Sequence, residues 1–202
     1  MIHTKIYLLP ILALLPYAAS APGSPPGGHH GPPPPSCPGP CLATSLSDFT
    51  WDLSIEYHAF WYFTTPAHQN SWGTVTLNLS NPAVPAVKTL ACGASSDRLS
   101  DFFYGDQWYP CASNPASPAI LDTSFRFFSR SRVDVNQTWV CDEDGLVKFA
   151  ALATAPLNMT CTDVSWTNPN WTYGTGEFYS TRDVKCAPVS LRLKPNEERI
   201  LL

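Results

Sequence analysis

Hydrophobic and polar residues alternate along most of the chain between residues 48 and 193, the period-two pattern of strands that bury one face. Phe49, Trp51, Leu53, Ile55 and Tyr57 alternate with Thr50, Asp52, Ser54, Glu56 and His58. Val75, Leu77 and Leu79 alternate in the same way with Thr74, Thr76 and Asn78. Leu121, Thr123, Phe125 and Phe127 form a third row, and Val133, Val135 and Trp139 a fourth, opposed by Asp134, Asn136 and Thr138. After Cys141-Asp-Glu-Asp-Gly145, a turn closed by Asp-Gly, Val147, Phe149, Ala151 and Ala153 return as the partner strand. Leu157, Met159 and Cys161 continue the alternation, and a last strand covers residues 184–193. The helical hint is confined to residues 95–101, enough for a turn or two. The pattern predicts an all-β domain of about seven to ten strands, a single antiparallel β-barrel or closed sandwich.

Both ends depart from this pattern. Residues 1–20 begin with Lys5 near the terminus, continue with an apolar run from Ile6 to Leu15 broken by Pro10, and end on Ala18, Ala19 and Ser20. This is the arrangement of a signal peptide cleaved after Ser20, and the run is too short for a bilayer span, which needs about 20 apolar residues. Residues 21–47 read as a Pro/Gly-rich linker: nine prolines lie between residues 21 and 40 and almost nothing there can be buried. The folded domain is then expected over residues 48–193, with 194–202 as a polar C-terminal tail. The expected product is secreted and extracellular, with no membrane association.

Composition sharpens that reading. Loss of Lys5 with the signal leaves sixteen acidic against eleven basic residues, a net charge of −5. Such a balance offers no electrostatic footprint for nucleic acid. Charged residues are 14% of the chain, where about a quarter is usual in soluble domains. Four glycosylation sequons, at Asn78, Asn136, Asn158 and Asn170, offer another source of solubility. Asn78, Asn136 and Asn158 fall on the polar phase of their strands, where a glycan projects into solvent.

The seven cysteines are Cys37, Cys41, Cys92, Cys111, Cys141, Cys161 and Cys186. In an oxidising compartment, without paired C-x-x-C spacing, they read as disulfides rather than zinc ligands. Their odd number leaves at least one free or joined to another molecule.

No nucleophile elbow, zincin helix, Walker loop or dinucleotide fingerprint occurs, and no cofactor or metal site is expected. His29 and His30 lie in the linker, His58 at the end of a polar strand face and His68 in a loop; all read as solvated residues. Asp142, Glu143 and Asp144 read as a hairpin turn, lacking the alternating ligands of a calcium loop. The remaining candidates are aromatic. Most are expected in the core, but Trp166, Trp171 and Tyr173 surround Asn168-Pro, Asn170 and Gly174-Thr-Gly176, which mark a loop. They are the candidate ligand contacts, suited to stacking on sugar rings or flat phenolic molecules.

Cysteine spacing and strand order together resemble a known family. The segment Leu90-Ala-Cys92, Ala94, Asp97-Arg-Leu99, Asp101, Gln107-Trp-Tyr109 and Cys111 is similar to a stretch of the Alternaria major-allergen family, small secreted β-barrel proteins of filamentous fungi. Phe49-Thr-Trp-Asp-Leu-Ser54 resembles its first strand, and residues 121–127 and 147–154 resemble two later ones. The resemblance implies disulfides Cys92–Cys111 and Cys161–Cys186. It also implies that Cys37 or Cys41 takes the place of a cysteine that joins two subunits into a homodimer. Cys141 is additional to the pattern, and with those two bonds committed it is expected to take Cys37 or Cys41. The proline-rich segment and the loop at residues 168–176 are also longer than the family's. The family implies a non-enzymatic effector, elicitor or allergen-like protein that binds a plant host protein or a flavonol-like small molecule. A carbohydrate-binding module using exposed tryptophans and a secreted hydrolase with an unrecognised site are the alternatives.

Overall fold

The first long strand carries the alternation furthest. In the computed structural model, which describes residues 40–112, 119–143, 146–195 and 197–201, a short helix α1 (Pro40–Ser45) precedes β1 (Trp51–Thr65). There follow β2 (His68–Ser80), β3 (Leu90–Ser96), β4 (Tyr109–Pro110), β5 (Ile120–Phe128) and β6 (Arg132–Cys141). The order continues with β7 (Val147–Pro156), β8 (Cys161–Thr167), β9 (Ser180–Cys186), β10 (Val189–Leu193) and β11 (Glu197–Leu201).

One sheet runs β3-β2-β1-β9-β8, and β10 also pairs with β1. The length of β1 allows this: residues 51–55 pair with β10, and residues 58–63 with β9. The second sheet runs β11-β7-β6-β5-β4. The named ladders are antiparallel, and none joins one sheet to the other. The barrel expectation is therefore corrected: neither sheet closes, and the fold is a two-sheet sandwich with edges at β3, β8, β4 and β11. The Cys92–Cys111 disulfide, rather than a backbone ladder, ties the edge strand β3 to the segment just after β4.

The core lies between the sheets. Trp51, Leu53, Ile55, Tyr57 and Ala59 of β1 are buried there with Val75, Leu77 and Leu79 of β2. They face Phe125 and Phe127, then Val133, Val135 and Trp139, then Phe149 and Ala151 of the second sheet. Each large side chain removed from water contributes about 1.5–3 kcal/mol. Trp139 stacks on Phe149 at 5.5 Å and meets Trp51 edge-on at 6.3 Å. One polar network crosses the apolar layer: Asn81 Nδ2 donates to Gln137 Oε1 at 2.8 Å, and Gln137 Nε2 donates to Thr123 Oγ1 at 3.0 Å.

Several expectations change. Leu121 is exposed, because a register shift between Ile120 and Asp122 breaks the alternation there. Residues 95–101 are no helix: Ser95 and Ser96 finish β3, and one turn follows, closed by the Phe102 N–H on the Arg98 carbonyl. Asp134 sits on the outward phase yet is buried, covered by Arg126 at 2.7 Å and Arg132 at 3.3 Å, with Arg126 stacked on Trp108. The tail expected over 194–202 instead supplies β11, which pairs with β7 and covers its otherwise open ladder.

The linker boundary also moves, since residues 40–45 form α1 and pack on one end of the sandwich. The Cys41–Cys141 disulfide anchors it, and Trp139 Nε1 donates to the buried Ser45 Oγ at 2.9 Å. Glu143, read from the sequence as a turn residue, accepts the Cys41 and Leu42 N–H groups at 2.9 and 3.1 Å. A carboxylate there satisfies donors that a helix start leaves open.

Candidate functional site

Alternation on β1 does not stop at Tyr57. Continued in phase, it turns Ala59, Trp61 and Phe63 toward the inner side and His58, Phe60 and Tyr62 outward. Neighbouring strands add to the outer face, because residues opposite one another in a ladder share a face. Phe60 stands opposite Trp72 of β2 and Asp183 of β9, and Asp183 stands opposite Val164 of β8. Tyr62 stands opposite Asn70 and Thr181, and Thr181 opposite Trp166.

The result is an unbroken row of rings. His58 meets Trp72 edge-on at 4.8 Å, Trp72 meets Phe60 at 5.9 Å, Phe60 stacks on Tyr62 at 6.0 Å, and Tyr62 meets Phe178 at 5.1 Å. Val164 and Trp166 beside the row, and Phe178 at its end, are 57%, 49% and 42% exposed. Apolar side chains this exposed, side by side, make this face the candidate recognition surface.

Each end of the row is polar. At one end His58 Nε2 lies 2.6 Å from Asp183 Oδ1, and Lys185 Nζ lies 3.0 Å from Asp183 Oδ2. Partial burial works against the charge on Asp183, but Lys185 and His58 outweigh it and hold its carboxyl below the usual range. Glu56, Thr74 and Thr76 join His58 and Lys185 around a cavity of about 350 Å³. At the other end Trp166, Asn168, Asn170, Glu177 and Phe178 line one of about 600 Å³.

The structure brings one of the three predicted contacts to this surface. Trp166 flanks the row from β8. Trp171 turns into its own loop, where Nε1 donates to the Glu177 carbonyl at 3.2 Å and the ring meets Tyr173 and Tyr179 edge-on. Tyr173, 87% exposed, stands apart at the loop tip between Trp171 and Gly174. Phe60, Tyr62 and Trp72 are new to the site. The signal for Phe60 and Tyr62 was the β1 phase carried five residues past Tyr57; Trp72 joins them through the β1–β2 ladder. His58 remains at the surface, now with Asp183 as partner, and His68 is exposed at the start of β2.

Cys92 is joined to Cys111, and Cys161 to Cys186 across the β8–β9 ladder. Cys141 takes Cys41; Cys37 lies outside the described residues. Asn78, Asn158 and Asn170 are exposed and Asn136 is half-buried. No group of three metal-ligating side chains occurs among the described residues, and no helix there is long and apolar enough to cross a membrane.

A family model, Alternaria alternata allergen 1, matches residues 55–186. The chain belongs to the Alternaria alternata allergen 1 family. No curated protein and no solved structure matches it. The span shared with the allergen family holds the whole ring row and the bonds Cys92–Cys111 and Cys161–Cys186. It leaves out α1, β10 and β11. The Cys41–Cys141 bond therefore ties a segment outside the allergen-family match onto the domain inside it.

Proposed function

We propose that this allergen-family protein is a secreted, non-enzymatic binding protein whose recognition surface is the ring row on β1 and β2. The observation that carries the reading is the continuity of four rings, His58, Trp72, Phe60 and Tyr62, on one outward sheet face, carried on by Phe178 from the loop before β9. Secretion rests on the signal-like residues 1–20 and agrees with three disulfides. A small aromatic ligand alone would be better served by a closed pocket that buries most of its surface. A flat row suits an extended partner, such as a host surface in the plant apoplast. With Cys41 committed to Cys141, Cys37 is the cysteine that would link two copies.

The test infiltrates leaf tissue with the mature protein and with a Phe60→Ala/Trp72→Ala variant of matched thermal stability. The reading expects a defence response to the former and its loss in the latter. An undiminished response to the variant would overturn it.

A further inference from the structure

The ring row and its polar frame together point to one chemical class of partner. The core of a protein–protein interface tends to shed charged groups. Here an ionised carboxylate, Asp183, lies opposite Phe60 in the very next strand, and Asn70 and Thr181 flank Tyr62 on either side. Rings and hydrogen-bonding groups are thus interleaved across the sheet. The matching ligand has apolar faces and hydroxyl rims. A pyranose chain joined through equatorial bonds has that form, with C–H groups on both flat faces and hydroxyls along the edges. Its faces leave water by stacking on the rings, and its hydroxyls exchange water for groups that donate and accept. His58, Asp183 and Lys185 supply such groups at one end, and Asn168, Asn170 and Glu177 at the other.

Resting on the recognition surface argued above, we propose that the row binds a neutral, linear, equatorially linked polysaccharide of the β-glucan or chitin type. The chain lies along the sheet face from His58 to Phe178. Among the described residues nothing roofs the row at Val164, Trp166 and Phe178, so a polymer passes over it without needing a free end. Neutrality follows from charge: the mature chain carries a net −5, and Glu56, Asp183 and Glu177 outnumber Lys185 along the row, so a polyuronate is repelled. Asn170 opens a sequon beside the far cavity, and a glycan attached there would reach the same rings.

The experiment uses the mature protein with its N-glycans trimmed by endoglycosidase, mixed with insoluble β-1,3-glucan, cellulose and chitin. Retention on at least one of the three is expected, without competition from soluble polygalacturonate. Phe60→Ala, Trp72→Ala and Trp166→Ala should each weaken retention about tenfold, the loss of one stacking contact. Trp166, on an edge strand, serves as the variant least able to disturb folding. Tyr173→Ala should bind as the parent does. No retention on any of the three, or equal retention by all ring variants, would overturn the proposal. If the polymers fail while the ring variants still lose the leaf response, the glycan assignment falls and the recognition surface stands. If the ring variants change neither readout, both fall.

Discussion

Gly73 of β2 lies directly beneath the ring of Phe102, and a Cβ at residue 73 would stand 2.7 Å from Phe102 Cγ. Phe102 is fully buried and also meets Trp61 at 5.1 Å, so the loop after β3 seals the inner side of the sheet whose outer side carries the rings. Only glycine permits that approach. Gly73→Ala should destabilise the fold by about 1–3 kcal/mol, the usual cost of overpacking a filled core. Denaturant unfolding with an unchanged slope checks it; a midpoint equal to the parent's would show that Phe102 has room to move.

The network of Asn81, Gln137 and Thr123 spans the two sheets inside the core. Gln137→Leu keeps the apolar volume but strands Asn81 Nδ2 and Thr123 Oγ1 without their shared partner. Each buried group left unpaired costs about 1–3 kcal/mol. A double-mutant cycle with Asn81→Ala should show strong coupling, and additive effects would mean that the pair does not act as a unit.

The three disulfides should differ in weight. Cys41–Cys141 closes a separation of 100 residues, against 19 for Cys92–Cys111 and 25 for Cys161–Cys186. In the chain-entropy model, loops of roughly 100 and 15 residues correspond to about 4.7 and 3 kcal/mol. Paired replacement of Cys41 and Cys141 by alanine should lower stability the most and release α1, exposing Ser45 and the Trp139 indole N–H. Equal losses from all three replacements would count against the entropic account.

Tyr57 gives the fold a dependence on alkaline pH. Burial pushes its phenol up to about 12, with the Arg130 cation opposing that rise and the Asp101 carboxylate adding to it. An unfolded tyrosine ionises near 10. The folded state therefore holds the proton longer, and the stabilisation is complete below about pH 10 and lost as pH rises toward about 12. Tyr57→Phe should show a shallower fall in unfolding free energy across that window. A slope identical to the parent's would place the alkaline loss elsewhere.

Strand phase was legible residue by residue. Trp51 through Tyr57, Val75 through Leu79 and Phe149 through Ala153 are buried on the faces their alternation requires. The alternation was read as far as Tyr57; extended along the full β1, it turns Phe60 and Tyr62 outward. Leu121 and Asp134 depart from their phase for local reasons, a register shift in one case and two covering arginines in the other.

The sequence by itself determined the all-β class, the inward set of side chains and the cysteine positions, because the pleat imposes its period of two on each strand separately. Tertiary structure alone decided which strands become neighbours. It left the sheets open at their edges, drew residues 40–45 and 197–201 into the fold, and chose Cys41 for Cys141. It also set Trp72 beside Phe60 and Asp183 beside His58. Such pairings join residues far apart in the chain, Asp183 and His58 by 125 positions, and no local periodicity encodes that distance.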